Sequence, residues 1–246
     1  MSKSLALLEA IIADRDGCSI TAIAAQIGLP KATAHRQVTT LLREGYLHRP
    51  PGGRFVAGPR LVALAGSIDS KQLVAAAAAP ILHRLARKLR CVVQLGTLEN
   101  DMVTYRIKTG HGAGDLFTRV GLQHEAYCTG IGKVLLANLT EGDRESYLAA
   151  GPFPALTRNT ITDPTVLRAE LEQIRTRGYA RDNEEISVGL VCFAAPIRVE
   201  EHEVLAAISA SRLSEAKRRI PDELFITAVL DAAREIGIVI QSASSY

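Results

Sequence analysis

Thr33, Arg36, Thr40 and Arg43 recur at the spacing that puts side chains on one side of a helix, with Lys31 and His35 near its N-terminal end. Arginine and threonine arranged this way can read base edges. Arginine pairs bidentately with guanine in the major groove, and a threonine methyl touches the methyl of thymine. Two further arginines, Arg49 and Arg54, flank the turn Pro50-Pro51-Gly52-Gly53, where they would meet phosphates or a minor groove. An ordinary solvated helix would look the same over residues 31–43 alone, so the turn and the hairpin on either side carry the discrimination.

A second set of polar groups lies far along the chain. In EVLAAISASR, residues 203–212, strand alternation gives Val204, Ala206, Ile208 and Ala210 one apolar face. The other face begins with Leu205 and Ala207 and ends in Ser209 and Ser211. On LVCFAAPIRV, residues 190–199, Leu190 and Cys192 share a face, and Asp182 stands just upstream. Buried hydroxyls need partners: neighbouring backbone or water would serve, and so would a small polar ligand. The charge runs Glu184-Glu185, Glu200-Glu201 and Lys217-Arg218-Arg219 read as solvated faces.

Enzyme chemistry is the competing reading. Cys128 or Cys192 as nucleophile, His111 or His124 as base, and Lys133 as a Schiff-base lysine are the available groups. No nucleophile elbow, phosphate loop or H-E-x-x-H accompanies them, and small residues around Cys192 suggest a packed thiol. Four cysteines without a C-x-x-C pair argue against a zinc ribbon or dithiol site, and at least two of them should be buried. Neither a catalytic set, a metal site nor a cofactor is expected.

The elements that must hold these groups can be read from periodicity. Leu5, Leu8 and Ile12 predict a first helix stopped by Gly17, and Ser19 caps a second that Gly28 ends. Pro30 opens the third, whose stripe of Ala34, Val38, Leu41 and Leu42 docks on the first two. Tyr46–Arg49 and Arg54–Val56 then form a hairpin, which completes a winged helix-turn-helix over residues 1–66. Residues 67–90 read as a linker with an Ala-rich helix that Pro80 starts or kinks; its apolar stripe would pack on the next domain or on a second subunit. From 91 to 246 a hairpin (91–98 with 102–109), helices near 130–139, 140 and 163–178, two more strands and a helix from Pro221 give an α+β domain with an antiparallel sheet.

The 246 residues, 47% apolar and 22% charged, suffice for one large core or two small ones. No apolar run approaches bilayer length, so no membrane partner and a cytoplasmic location are expected. The net charge is +3 overall, but residues 1–90 hold 13 Lys and Arg against 5 Asp and Glu, and the remainder 16 against 21. That split suggests a basic module for a polyanion joined to an acidic body.

Four stretches together resemble the IclR-type transcriptional regulators along nearly the whole chain: LPKATAHRQVTTLLREGYL (29–47), RFVAGPRLVALAG (54–66), YCTGIGKVLLA (127–137) and DNEEISVGLVCFAAPI (182–197). The resemblance implies a GAF-like effector domain at the C-terminus, assembly as a homodimer or homotetramer, and double-stranded operator DNA as partner. It also implies a small-molecule effector, an organic acid or aromatic catabolite, held near Thr129, Gly130, Ile131, Asp182, Leu190, Cys192, Ser209 and Ser211. Gly130 stands where alanine is usual, which removes a methyl and would enlarge the pocket. Glu125 replaces a frequent proline, and Ala32 a usual serine in the recognition helix.

Overall fold

The computed structural model describes residues 2–67, 70–112, 114, 116–199, 204–214 and 220–244. The chain forms two compact units, Met1–Asp69 and Ser70–Tyr246. The first holds helices α1 (Ser2–Ala13), α2 (Ile20–Gln26) and α3 (Lys31–Arg43), a hairpin of β1 (Leu47–His48) with β2 (Val56–Ala57), and α4 (Pro59–Ser67). Its core gathers Leu7, Leu8 and Ile11 of α1, Ile23 and Ala24 of α2, Ala34 and Val38 of α3, and Leu47. Of the periodic Leu5, Leu8 and Ile12, only Leu8 is buried; Leu5 and Ile12 remain 57% and 42% exposed. LALLEAII carries two overlapping apolar stripes, and only docking on α2 and α3 decides which is buried.

The second unit runs α5 (Ser70–Leu89), β3 (Val92–Glu99), β4 (Met102–Gly110), β5 (Gln123–Glu125), α6 (Gly130–Ala137), α7 (Glu141–Leu148), α8 (Pro164–Arg177), β6 (Ala180–Asn183), β7 (Leu190–Arg198), β8 (Val204–Leu213) and α9 (Asp222–Ser244). Its six strands make one antiparallel sheet in the order β5-β4-β3-β8-β7-β6. Strand alternation sorts the side chains. Val93, Leu95, Phe193, Ala195, Ile208 and Ala210 pack under α5 and α9. Tyr105, Ala194 and Ala207 face α6 and α8 on the other side.

The helix ends follow their sequence signals. Ser19, Thr140 and Asp163 accept hydrogen bonds from first-turn amides of α2, α7 and α8, and Gly178 ends α8 in the left-handed conformation. Pro80 neither starts nor ends α5; the helix begins at Ser70 and passes through it. Burial of Val74, Ala78, Ile81, Leu82 and Leu85 against the sheet outweighs the lost backbone hydrogen bond. Because the second unit begins at Ser70, the five cations of residues 70–90 belong to it. The first unit carries only eight Lys and Arg against five Asp and Glu. The basic module is thus less charged than a split at residue 90 suggests.

Candidate functional site

In the first unit, the turn between α2 and α3 is closed by the Leu29 amide donating to Ala24 O at 2.8 Å, with Gly28 at φ +63°. Lys31, His35, Arg36 and Thr40 are exposed on α3; Thr33 is half-buried. The Thr40 hydroxyl donates back to Arg36 O at 3.1 Å, so in this conformation its methyl is the more available group. The hairpin is seated by a close approach. The Gly58 amide donates to Tyr46 O at 2.9 Å, and a Cβ on Gly58 would fall 2.2 Å from Gly45 O. Arg49 stacks over Phe55 and donates to Gly53 O, while Arg54 donates to Arg15 O at 2.8 Å. His35, Arg49 and Arg54 line one cleft of about 420 Å³ together with Ser19 and Thr21. Recognition helix and hairpin thus share one concavity, to which the hairpin brings Arg49 and Arg54 and the helix His35.

In the second unit, the residues singled out on three separate stretches come together between the sheet and α6. Thr129, Gly130, Ile131, Asp182, Leu190, Cys192 and Ser209 line one chamber, joined by Gln94, Tyr105, Leu116, Phe117, Thr118 and Ile186. Register explains the meeting: Cys192 pairs with both Asp182 and Ser211, and Ser209 with Gln94 and Ala194. Ser211 falls one step outward and donates its hydroxyl to Cys192 Sγ at 3.1 Å. Thr129 caps α6 by accepting from the Gly132 amide. Gln94 and the loop residue Thr118 were missed from sequence; Gln94 is a polar residue inside the apolar run CVVQLGTL, which is a readable signal. Their side chains hydrogen-bond at 2.7 Å, which ties the loop over the chamber.

The free space inside is about 10 Å³, barely one water. A Cβ on Gly130 would meet Ala194 at 3.3 Å and Asp182 and Cys192 at 3.7 Å, contacts that are ordinary or slightly tight, so the glycine leaves close to one methyl's space against the sheet.

Asp182 is 1% exposed. Its Oδ1 accepts from the Glu185 amide at 2.8 Å, while Oδ2 has no partner. Burial pushes its carboxyl up to about 7, assisted by the Glu185 charge and opposed by the Glu185 amide and Lys133. A raised folded-state value means the native chain holds more protons than the unfolded one between about pH 4 and 7, so this residue's contribution is full at low pH and is lost as pH rises through about 7. Asp182→Asn is therefore expected to raise Tm at pH 8 while changing it little at pH 4.5. Melting curves across that range check this; an equal change at both ends contradicts it.

Glu185 is buried, contrary to the expectation of a solvated Glu184-Glu185 face. Its Oε1 meets Lys133 Nζ at 2.5 Å, and Lys133 also donates to Arg181 O at 2.7 Å. Lys133, weighed above as a Schiff-base lysine, is held in this ion pair. Glu200, Glu201 and residues 217–219 lie outside the described residues. Burial also disposes of the thiolate reading: the Cys128 thiol is pushed up to about 12 and that of Cys192 well above its ordinary value. Among the described residues no cluster of three or more metal-ligating side chains occurs, and no single helix is long and apolar enough to cross a membrane.

A winged helix-turn-helix unit joined to an α/β unit with a closed polar chamber defines a ligand-responsive DNA-binding regulator. Family comparison makes this specific. Residues 1–51 match the IclR helix-turn-helix domain and residues 66–238 the bacterial transcriptional regulator IclR C-terminal domain. The chain belongs to the IclR family of transcriptional regulators. It is 30% identical to the HTH-type transcriptional regulator XynR of Escherichia coli, covering all of this chain and 97% of that one. It is 31% identical to BhcR of Paracoccus denitrificans over 96% of this chain and 85% of the relative. An IclR homologue from Microbacterium hydrocarbonoxydans, solved with 4-hydroxybenzoate, superposes with a TM-score of 0.65 at 28% identity, covering 98% of each chain. Its relatives are named as regulators and repressors, not enzymes.

Proposed function

We propose that this regulator docks α3 in the major groove of its operator, with Lys31, Thr33, His35, Arg36 and Thr40 toward bases and phosphates and Arg49 and Arg54 on the flanking backbone. A small organic acid or aromatic catabolite in the second unit adjusts that binding. The observation that carries the effector half is Asp182 Oδ2, a buried carboxylate oxygen without a partner in a chamber whose lining sets hydroxyls, a thiol and an amide among Leu116, Phe117, Ile131, Ile186 and Leu190. A ligand hydroxyl or amine would satisfy it. Operators of this class are read by paired recognition helices, so a homodimer or homotetramer fits the function, as does a cytoplasmic location beside the DNA.

Arg36→Ala tests the DNA half. Arg36 is exposed, so folding should be unaffected, while specific operator affinity should fall by about 1–3 kcal/mol with non-specific binding nearly retained. Electrophoretic titration on operator and on scrambled duplex separates the two. Equal affinity of the variant and the parent for the operator would remove Arg36 from the reading set.

A further inference from the structure

Lys71 lies in the first turn of α5, directly after the boundary between the two units. Gln72 and Leu73 beside it are exposed, and the first apolar side chain that α5 buries against the sheet is Val74. The start of the helix is therefore held by polar contact: Lys71 Nζ donates to Glu99 Oε1 at 2.6 Å. Glu99 ends β3, and its carboxylate gathers donors from the sheet as well. The Thr104 hydroxyl donates at 2.9 Å and that of Thr97 at 3.3 Å, while Arg106 pairs with the carboxylate and its Nε donates to Thr97. Burial alone would raise the Glu99 carboxyl, but the bonds from Lys71, Thr104 and Arg106 outweigh it and hold the group at about 2, so the cluster stays charged at neutral pH.

The opposite face of the same two strands is a wall of the chamber. Tyr105 lines the chamber, and its chain neighbours Thr104 and Arg106 point the other way, into the cluster around Glu99. Little slack separates the two faces. Tyr105 pairs with Gly96, where a Cβ would fall 2.8 Å from Val103 Cγ1 and 3.1 Å from Cγ2 of Ile131, a chamber residue on α6. A shift of Tyr105 or of the first turn of α6 must therefore move the residues that hold Glu99.

We infer that Lys71, Glu99 and Arg106 form the latch through which the two units influence each other: the placement of β3 and β4 sets how the first turn of α5 is held, and with it the chain that leads to the helix-turn-helix unit. They are positioning residues, since none of them lines the chamber or belongs to α3 or the β1–β2 hairpin. An ion pair that only fastened α5 would stabilise the second unit and carry no signal, and the difference between the two roles is a coupling that can be measured. The inference rests on the regulatory reading above and gives it a route that does not depend on which effector is bound.

Operator DNA is the probe, because coupling is reciprocal: if the second unit acts on DNA binding, DNA binding must act on β3 and β4. Hydrogen exchange of the full-length protein is measured with and without saturating operator duplex for the parent, Lys71→Arg, Lys71→Met and Glu99→Gln, with melting curves to show that each is folded. In the parent and in Lys71→Arg, which keeps the charge and the donors, operator should change the exchange of amides in residues 102–106 by about fivefold or more. In Lys71→Met and Glu99→Gln that change should vanish while the protection operator gives to α3 remains. If those two variants still pass the change to residues 102–106, or if the parent shows none, the latch is overturned. If folded Lys71→Met loses the protection of α3, Lys71 acts on DNA binding directly and the latch is wrong as well. Failure of operator to protect α3 in the parent is a different result: it overturns the DNA-binding reading, and the inference falls with it.

Discussion

Replacing Lys133 by methionine is expected to cost about 3–5 kcal/mol of stability, the largest effect of any single substitution considered. Lys133 is 1% exposed, and its ammonium bonds both Glu185 Oε1 and Arg181 O. Methionine fills similar volume but leaves a buried carboxylate uncompensated and a strand carbonyl unpaired. Burial already pushes the Glu185 carboxyl upward, with Lys133 the main force holding it down; without the lysine, Glu185 takes up a proton instead. The deficit should therefore shrink as pH falls toward the carboxylate range. Adding Glu185→Gln should recover part of the loss, since the stranded charge goes with it. Urea unfolding at fixed protein concentration measures all three. A loss below about 1 kcal/mol for Lys133→Met would show the pair to be no more than a screened surface contact. Because Glu185 also donates its amide to Asp182, the same variant should loosen the chamber and weaken effector binding.

Salt should act on the DNA half with comparable force. The exposed cations of α3 and the hairpin, doubled in a dimer, suit about 6–10 phosphate contacts, for which affinity falls about 10³–10⁵-fold between 50 and 200 mM salt. The slope of log affinity against log salt should approach about −0.9 for each phosphate neutralised. Fluorescence anisotropy on a labelled operator duplex gives the slope directly, and a flat response would contradict groove binding. Cations of α5 cannot be assumed to contribute. Lys71 pairs with Glu99 and Arg84 with Glu235, so much of the basic excess of residues 1–90 is spent within the second unit.

That redistribution shows where sequence reasoning stops. Strand alternation alone placed Ser209, Ser211, Leu190 and Cys192 on matching faces, because a period of two is unambiguous once a strand is named. Helical phase was harder: α1 has more apolar residues than one stripe needs, and only the partner helices choose between Leu5 and Leu7. The short strands β5 and β6, of three and four residues, lack a periodic pattern long enough to see and exist because long neighbours offer them edges. Lys133 gave a usable sign that was misread. A lysine in the wholly apolar helix GIGKVLLA has no solvated side to occupy and requires a buried acid, and Glu185 is that acid.

If a small molecule in the second unit governs operator binding by the first, the two ligands must change each other's affinity equally. The compound that most raises Tm in a screen of organic acids and aromatic catabolites, 4-hydroxybenzoate included, should change operator affinity by some factor. Saturating operator should then change the affinity for that compound by the same factor. Paired titrations, DNA with and without compound and compound with and without DNA, give both numbers. Equal factors different from one are expected; a compound and an operator that each bind with affinities indifferent to the other would show that the second unit does not govern DNA binding.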